Sequence, residues 1–350
     1  MSADRLHLVA WESTRACKFA CKHCRATAQL HPDPKQLSTQ EAKRLIDEIA
    51  HVAKPVFIIT GGDPLLRDDI FEITRYAVDK EFHVAMALNG DVDPATASKI
   101  YSTGVRRVSL SIDGSKPVVH DNFRGIEGAF KMAMQTVESV KSAGLLFRIL
   151  TTVTKYNLHD LGNLHNLAVD LGAECWDIFM LVPTGRATSE MQVSPTEYEN
   201  VLKFAHDLSR RDKIPIRLTC APQYNRILLQ TKVVQDRPAT PSLGKHGTGI
   251  GRGCMTGDGF CFVSHIGDVY GCGYLPVTAG NIRGKTFSDI YNSSALFLQL
   301  RDRKLLKGNC GVCLYQEVCG GCRARAYAAS GDVLGEEPYC IYRPLRRHTA

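Results

Sequence analysis

The sequence has no long apolar segment. No stretch approaches the roughly 20 consecutive apolar residues that a membrane-spanning helix needs. The first residues also lack a positively charged segment followed by an apolar stretch and a cleavage site. Neither membrane insertion nor export is therefore predicted, and we expect a cytoplasmic protein.

Clusters of like charge are also scarce. The formal net charge is +7, but Lys and Arg are scattered, and only the tail gathers several of them, at Arg343, Arg346 and Arg347. Nucleic-acid binding normally requires a basic patch or stripe, so a nucleic-acid partner is not expected. The positive charge suits a small molecule rich in carboxylates equally well.

Cysteine, by contrast, is abundant, with 13 in 350 residues. Disulfides are rare in a reducing compartment. Clustered thiols in such a protein more often hold metal, so the composition indicates a metalloprotein.

The apolar pattern up to about residue 182 alternates short runs with longer periodic ones, which is typical of βα units. The predicted strands cover 6–11, 55–60, 83–88, 107–112, 147–153 and 175–182, and the predicted helices cover 39–52, 69–80, 94–103, 127–143 and 160–172. Six units predict an α/β fold, a partial (βα)6 TIM-like barrel open on one side. Functional residues are expected at the C-terminal ends of its strands.

The remaining sequence loses this regular alternation. A helix is predicted at 195–212, a Gly-rich stretch follows at 244–253, and a hairpin at 261–274 and a helix at 286–303 come next. We therefore expect a barrel over 1–190, a linker helix and Gly-rich connection over 191–250, and a cysteine-rich domain over 251–350. A loop-rich unit with little core needs metal to hold it together.

Three cysteines, Cys17, Cys21 and Cys24, follow the first predicted strand directly. Three thiolates on a four-iron cluster leave one iron open to bind a ligand. The alternative is a zinc loop that takes its fourth ligand from His23 or His31.

This C-x3-C-x2-C loop and the motifs after it resemble the radical SAM superfamily over residues 5–185. By that resemblance His23 lies against the adenine of S-adenosylmethionine. The sequence Gly61-Gly62-Asp63 resembles the family motif GGE, whose backbone receives the methionine amino group, with Asp63 in place of Glu. An ordinary glycine turn is the alternative.

Further cofactor contacts are implied by the same resemblance. Ser111 and Asp113 end the fourth strand, Arg124 follows them, and together they match the ribose and carboxylate contacts. Leu181 matches a main-chain contact to the adenine. A turn cap at Asp113 and a solvated Arg124 are the alternatives.

The resemblance implies an enzyme that holds a 4Fe-4S cluster and S-adenosylmethionine. Reductive cleavage of the cofactor gives a 5′-deoxyadenosyl radical, which removes an unactivated hydrogen from the substrate. An electron donor such as ferredoxin or flavodoxin is implied. A non-enzymatic electron carrier that does not turn over the cofactor is the alternative from a different class.

The last cysteines resemble the SPASM extension of this superfamily, over residues 250–345. That resemblance implies one or two auxiliary 4Fe-4S clusters. The nearer cluster would take Cys254, Cys261, Cys272 and Cys322, and the farther one Cys310, Cys313, Cys319 and Cys340. Zinc ribbons are the alternative. Cys175 and Cys220 are left over and are interpreted as buried thiols.

The chain resembles the AhbD-type haem synthases. The resemblance rests on four segments spread along its length, 11–17, 60–65, 179–186 and 319–327. The resemblance implies oxidative decarboxylation of two propionates of Fe-coproporphyrin III to vinyl groups, giving haem b. Alternatives are another tetrapyrrole side-chain enzyme, of the haem d1 or didecarboxysiroheme deacetylase type, and a peptide maturase. A peptide maturase is less expected because the first strand begins by residue 6, which leaves no room for a leader-binding domain.

Substrate carboxylates call for arginine forks. The candidates are Arg15, Arg148, Arg186, Arg217, Arg323 and Arg325, and the candidate axial ligands for substrate iron are His246 and His265. Surface solvation of each arginine and ordinary hydrogen bonding of each histidine are the alternatives.

Overall fold

A computed structural model describes residues 6–211, 214–231 and 253–344. Its ten strands form a single sheet in the order β10-β9-β8-β1-β2-β3-β4-β5-β6-β7. The strands are β1 Leu8–Glu12, β2 Val56–Thr60, β3 His83–Leu88, β4 Arg107–Ser111, β5 Leu146–Val153, β6 Cys175–Met180, β7 Ile216–Thr219, β8 Phe260–Val263, β9 Asp268–Tyr270 and β10 Thr278–Asn281.

The strands β1 to β7 run parallel, which confirms the α/β barrel class and the six predicted strands. Strand β7 was not predicted, and it lies in the segment interpreted as a linker. Every residue of this short strand is half-buried, so it lacks the alternation of buried and exposed positions that identifies a strand.

The predicted hairpin continues the barrel sheet. Strand β8 pairs in parallel with β1, with Val9 opposite Cys261, and β9 and β10 follow in antiparallel order. The cysteine-rich region is therefore hydrogen-bonded directly to the first barrel strand. The boundaries at 190 and 250 stay a prediction.

The helices are α1 Thr39–Val52, α2 Ile70–Asp79, α3 Pro94–Ser102, α4 Pro117–Arg124, α5 Ala129–Ser142, α6 Leu161–Asp170, α7 Pro195–Arg211, α8 Tyr224–Gln230, α9 Phe287–Ser293, α10 Ala295–Arg301, α11 Gly308–Gly311 and α12 Arg323–Ser330. A capping box of Ser38 and Glu41 begins α1, as its sequence indicates. The helix predicted at 286–303 is divided, because Ser294 leaves helical geometry and caps α10. No described helix combines the length and apolarity needed to cross a membrane.

Alternation along the barrel strands leaves room inside the barrel. On β3, Val84, Met86 and Leu88 are buried in the layer under the helices. Ala85 and Ala87 point to the other face, where Ala87 lines a cavity. Small side chains on that face leave space for a ligand at the C-terminal ends of the strands.

Candidate active site

The loop after β1 brings Cys17, Cys21 and Cys24 to one cavity of about 180 Å³. The backbone N–H of Phe19 donates to the Sγ of Cys17 at 3.3 Å, and that of Ala28 donates to the Sγ of Cys24 at 3.4 Å. The predicted cofactor residues that share this cavity are His23, Gly61, Gly62, Ser111, Arg124 and Leu181.

The thiols are set up to bind metal rather than to act alone. Burial raises the pKa of Cys17 to about 11, so at neutral pH this sulfur is a thiol until a metal displaces its proton. Two further donors point at the sulfurs, from Asn89 Nδ2 to Cys17 Sγ at 3.2 Å and from Arg124 Nη1 to Cys21 Sγ at 3.4 Å. Such bonds stabilise thiolate ligands.

The glycine motif is required by close backbone packing. A Cβ on Gly61 would lie 2.6 Å from the carbonyl oxygen of Thr14, and one on Gly62 would lie 2.3 Å from that of Ala16. The N–H of Gly62 donates to Thr14 at 2.7 Å. The two glycines therefore hold the start of the cysteine loop against the end of β2.

Asp63 is buried beside the cavity but is absent from its lining. Its carboxylate accepts the N–H of Leu65 at 3.0 Å and caps a short 3₁₀ turn. The side chain of Asp63, which stands where the family motif has Glu, therefore caps this turn and does not line the cavity.

Arg124 is buried and faces the carboxylate of Asp113. Its Nε lies 3.2 Å from Oδ2 of Asp113, and its Nη2 has no hydrogen-bond partner among the described residues. Asp113 also accepts the N–H of Thr152 at 2.7 Å. A free buried guanidinium nitrogen in the cavity wall suits a ligand carboxylate, so the residues present fit an amino-acid-like cofactor.

His23 is held as a neutral ring. It packs on Phe123 at 4.3 Å between ring centroids. Burial, with the nearby positive charges of Arg124 and Arg186, keeps the pKa of His23 well below its usual value. Across the described ranges, no three His, Cys, Asp or Glu side chains form a group that could hold a single metal ion.

Among the lining residues that sequence reasoning missed are Asn89 and Tyr274. Asn89 directly follows β3, and it donates to Gly62 O at 2.9 Å as well as to Cys17. Its place after a parallel strand was the available signal. Tyr274 comes from the cysteine-rich region, and no pattern in the sequence indicates that contact.

Four of the later cysteines line a second cavity, as expected for the farther cluster, namely Cys310, Cys313, Cys319 and Cys340. In the nearer set, Cys254 and Cys272 both contact Thr256, and Cys272 also interacts with Cys322. Cys261 is not brought to this group, whereas Cys220 is. The structure thus places Cys220, and not Cys261, beside the other three cysteines, because the side chain of Cys261 lies in the core.

Most candidate carboxylate-binding arginines have partners within the chain. Arg15 lies 3.1 Å from Glu12, Arg148 lies 3.8 Å from Asp177, and Arg217 pairs in register with Asp177. Those three arginines therefore face carboxylates of the chain itself.

The two candidates on α12 are buried structural residues. Arg323 donates to the carbonyl of Gly335 at 2.7 Å, and Arg325 lies 3.1 Å from Glu337.

Arg186 is the remaining candidate. It donates to the carbonyl of Cys21 at 3.0 Å, and its buried Nη2 has no partner among the described residues.

His265 is not available as an axial ligand. Its Nδ1 lies 2.8 Å from Glu12, its Nε2 lies 3.2 Å from Asp33, and the residue is buried. Glu12 also accepts from Arg25 at 2.7 Å. His265 therefore ties the hairpin to β1 and the cysteine loop, which is the ordinary hydrogen bonding given above as the alternative to iron ligation. His246 lies outside the described residues.

Two family models match the chain. Residues 11–168 match the radical SAM superfamily, and residues 254–323 match the iron–sulfur cluster-binding SPASM domain. The fold is similar to that of Streptococcus suis SuiB bound to S-adenosylmethionine, with a TM-score of 0.74, 13% identity, and coverage of 96% of this chain and 77% of that one. The chain is a radical SAM enzyme that uses a 4Fe-4S cluster, S-adenosylmethionine and auxiliary clusters.

Whole-length relatives narrow the assignment. The chain is 46% identical to the AdoMet-dependent heme synthase of Methanosarcina barkeri over 97% of both chains. It is 45% identical to the enzyme of that name from Nitratidesulfovibrio vulgaris over 97% of this chain and 93% of the relative. It belongs to the family of the AdoMet-dependent haem synthases.

Proposed function

We propose that this chain converts two propionates of Fe-coproporphyrin III to vinyl groups, giving haem b. The observation that carries the proposal is similarity to haem synthases along essentially the whole chain, including both cysteine-rich regions. Each propionate loses a hydrogen atom from its β-carbon, carbon dioxide and one further electron. A donor such as ferredoxin or flavodoxin supplies reducing electrons.

The bound cluster and S-adenosylmethionine supply the radical that removes the hydrogen atom. The chain's own residues position that cofactor. These residues line one cavity, and Nη2 of Arg124 has no partner among the described residues. With the cofactor bound, Arg124 would hold the methionine carboxylate and Ser111 would face the ribose. Gly61 and Gly62 would receive the amino group along their backbone, and His23 and Leu181 would lie against the adenine.

The substrate approaches from the side of the cysteine-rich region. Tyr274 lines the cofactor cavity and interacts with Cys220 and Cys272 of the nearer auxiliary site. A porphyrin edge between these two sites would present its propionate to the radical. The electron released on loss of carbon dioxide would then have the nearer auxiliary cluster as a nearby acceptor. Tyr274 and Phe179 line the cavity, and their rings would help to keep water from the reacting carbon once the ligands are bound.

The test is anaerobic incubation of the reconstituted enzyme with S-adenosylmethionine, a strong reductant and Fe-coproporphyrin III, followed by mass spectrometry. We expect stepwise loss of two carboxyl groups together with 5′-deoxyadenosine. A Cys21→Ala variant should form neither product. Deoxyadenosine without any change in the porphyrin would reject this substrate, and the enzyme class would stand.

A further inference from the structure

The nearer auxiliary site has a different fourth cysteine from the one that spacing along the chain suggests. We infer that Cys220 ligates this cluster together with Cys254, Cys272 and Cys322, and that Cys261 is not a ligand. The inference concerns cluster ligation and does not depend on which substrate the enzyme uses.

Cys220 lies at the functional edge of the barrel. It directly follows β7, whose last residue, Thr219, is in register with Phe179 in the wall of the cofactor cavity. Its φ of +59° is in the left-handed region, which non-glycine residues adopt only when their surroundings compensate the cost. The backbone here is held in a conformation that places the side chain of Cys220.

The compensating contacts join Cys220 to the segment of Cys322. The carbonyl of Cys220 accepts from Tyr198 Oη at 3.1 Å and from Arg325 Nη2 at 3.0 Å. Arg325 lies on α12, which begins directly after Cys322. Glu337 bonds both Arg325, at 3.1 Å, and the N–H of Cys322, at 2.8 Å. A buried ion pair thus sets the two cysteine-bearing segments against each other.

The side chains of these cysteines form one connected group. Cys220 and Cys322 make a side-chain contact, and Cys220 also interacts with Cys272. Cys272 in turn interacts with Cys254, and Thr256 contacts both of them. Cys220 follows β7, Cys254 precedes β8, Cys272 follows β9, and Cys322 is the N-cap residue of α12. Only the folded chain therefore brings the four sulfurs together.

Cys261 points to the opposite face of the sheet. Its neighbour on β8, Phe262, packs under the guanidinium of Arg25 at 4.4 Å on the cofactor side. Successive strand residues face opposite sides, so Cys261 faces the outer layer, where it is fully buried near Tyr291 and Arg301. Among the described residues, Arg301 is the charged group that affects its thiol.

Four thiolates are the ligand set of a closed 4Fe-4S cluster. Each thiol gives up its proton on binding iron. Cys220 therefore completes a fully ligated site that can pass electrons and leaves no iron open to substrate.

The experiment compares Cys220→Ser and Cys261→Ser in the full-length, anaerobically reconstituted enzyme, with Cys322→Ser as the reference for loss of this cluster. Iron and sulfide per chain and the electron paramagnetic resonance spectrum of the reduced protein are measured. We expect Cys220→Ser to lose about four irons and the same spectral component as Cys322→Ser. Cys261→Ser should keep both.

Full iron content in Cys220→Ser, or loss of the component in Cys261→Ser alone, would overturn the inference. Cofactor cleavage to 5′-deoxyadenosine without porphyrin checks that the barrel of each variant is folded. If Cys220→Ser does not fold, alkylation of the cysteines in the wild-type enzyme, with and without iron, tests whether Cys220 is a ligand. Cys220 should be protected while iron is bound and modified along with Cys322 after chelation, whereas equal modification in the loaded enzyme would reject ligation.

Discussion

Arg124 connects the cofactor cavity to the end of β4 through Asp113, with Nε of Arg124 3.2 Å from Oδ2 of Asp113. Burial raises the pKa of Asp113, and the charge of Arg124 opposes that effect. The same guanidinium reaches the Sγ of Cys21. The guanidinium of Arg124 therefore contacts both the carboxylate of Asp113 in the barrel wall and the sulfur of Cys21 in the cysteine loop.

We expect Arg124→Lys to weaken binding of S-adenosylmethionine by about 10- to 100-fold, because lysine keeps the charge but cannot form the planar fork. Hydrogen bonds to charged groups are worth about 1.5–3 kcal/mol. Equilibrium binding to the cluster-loaded enzyme measures this. The control is Arg107→Lys, whose arginine lies 2.9 Å from Glu174 and outside the cavity lining. Equal affinity in the two variants would contradict the assignment.

Gly62→Ala should prevent stable binding of the first cluster, because the added Cβ would lie 2.3 Å from the carbonyl of Ala16. Iron content and deoxyadenosine formation report the loss. Gly162→Ala is the matched control, since a Cβ there has no atom within 4 Å and Gly162 lies in α6. That change should stabilise the protein by up to about 1 kcal/mol. Normal cluster loading in Gly62→Ala would disprove the packing argument.

Protonation of Glu12 in acid should remove the stability that its ionised carboxylate gives to the folded protein. Burial by itself raises the pKa of Glu12, but Arg25, His265 and Arg15 outweigh it and lower the pKa from 4.5 to about 2. This fall corresponds to about 3 kcal/mol of stability. Because the pKa is lower in the folded state, that stability is complete above pH 4.5 and is lost as pH falls towards 2.

Urea unfolding of wild type and Glu12→Gln at pH 7 and pH 4 measures the effect. The stability difference between the two proteins should narrow by about 1 kcal/mol at the lower pH. The exposed residue Glu127 provides the control, Glu127→Gln, which should show no such narrowing. A difference that is independent of pH would mean that the charge of Glu12 is not what stabilises the fold.

Asn89→Ala should lower the reduction potential of the first cluster by tens of millivolts. The amide of Asn89 donates to Cys17 Sγ, and hydrogen bonds to cluster sulfurs favour the more negative reduced state. Potentiometric titration followed by spin quantitation measures the shift. Asn292→Ala, which removes an exposed amide near Ser288, should leave the potential unchanged. An unchanged potential in Asn89→Ala would exclude this role.

The farther cysteine set should be needed for porphyrin oxidation but not for cofactor cleavage. In a Cys310→Ala, Cys313→Ala double variant we expect 5′-deoxyadenosine to form while vinyl formation stops, because the substrate loses its electron acceptor. Cys175→Ala, which alters a buried thiol on β6, is the control. Full porphyrin turnover in the double variant with an intact first cluster would rule out this set as the acceptor.

The cysteine loop and the glycine motif could be predicted from the sequence because each is local. Cys17, Cys21 and Cys24 lie within eight consecutive residues after a strand. Their side chains therefore reach the same cavity without any contact between distant parts of the chain. The same holds for Gly62 and for the strands whose apolar runs are clear. Parallel strands then bring their C-terminal ends to one edge, which places Ser111 and Leu181 in the same cavity.

Cysteine number and spacing specify iron–sulfur sites, and the βα pattern specifies the barrel, so the type of chemistry can be predicted from the sequence. The choice of cysteines that share a site depends on the packing of the folded chain. Cys261 lies closer in sequence to Cys254 than Cys220 does, yet alternation on β8 turns it towards the helices. Cys220 follows a strand with no sequence signature, and long-range contacts from Arg325 hold it beside Cys322. Side-chain direction and strand order depend on packing between distant segments, which spacing along the chain does not encode.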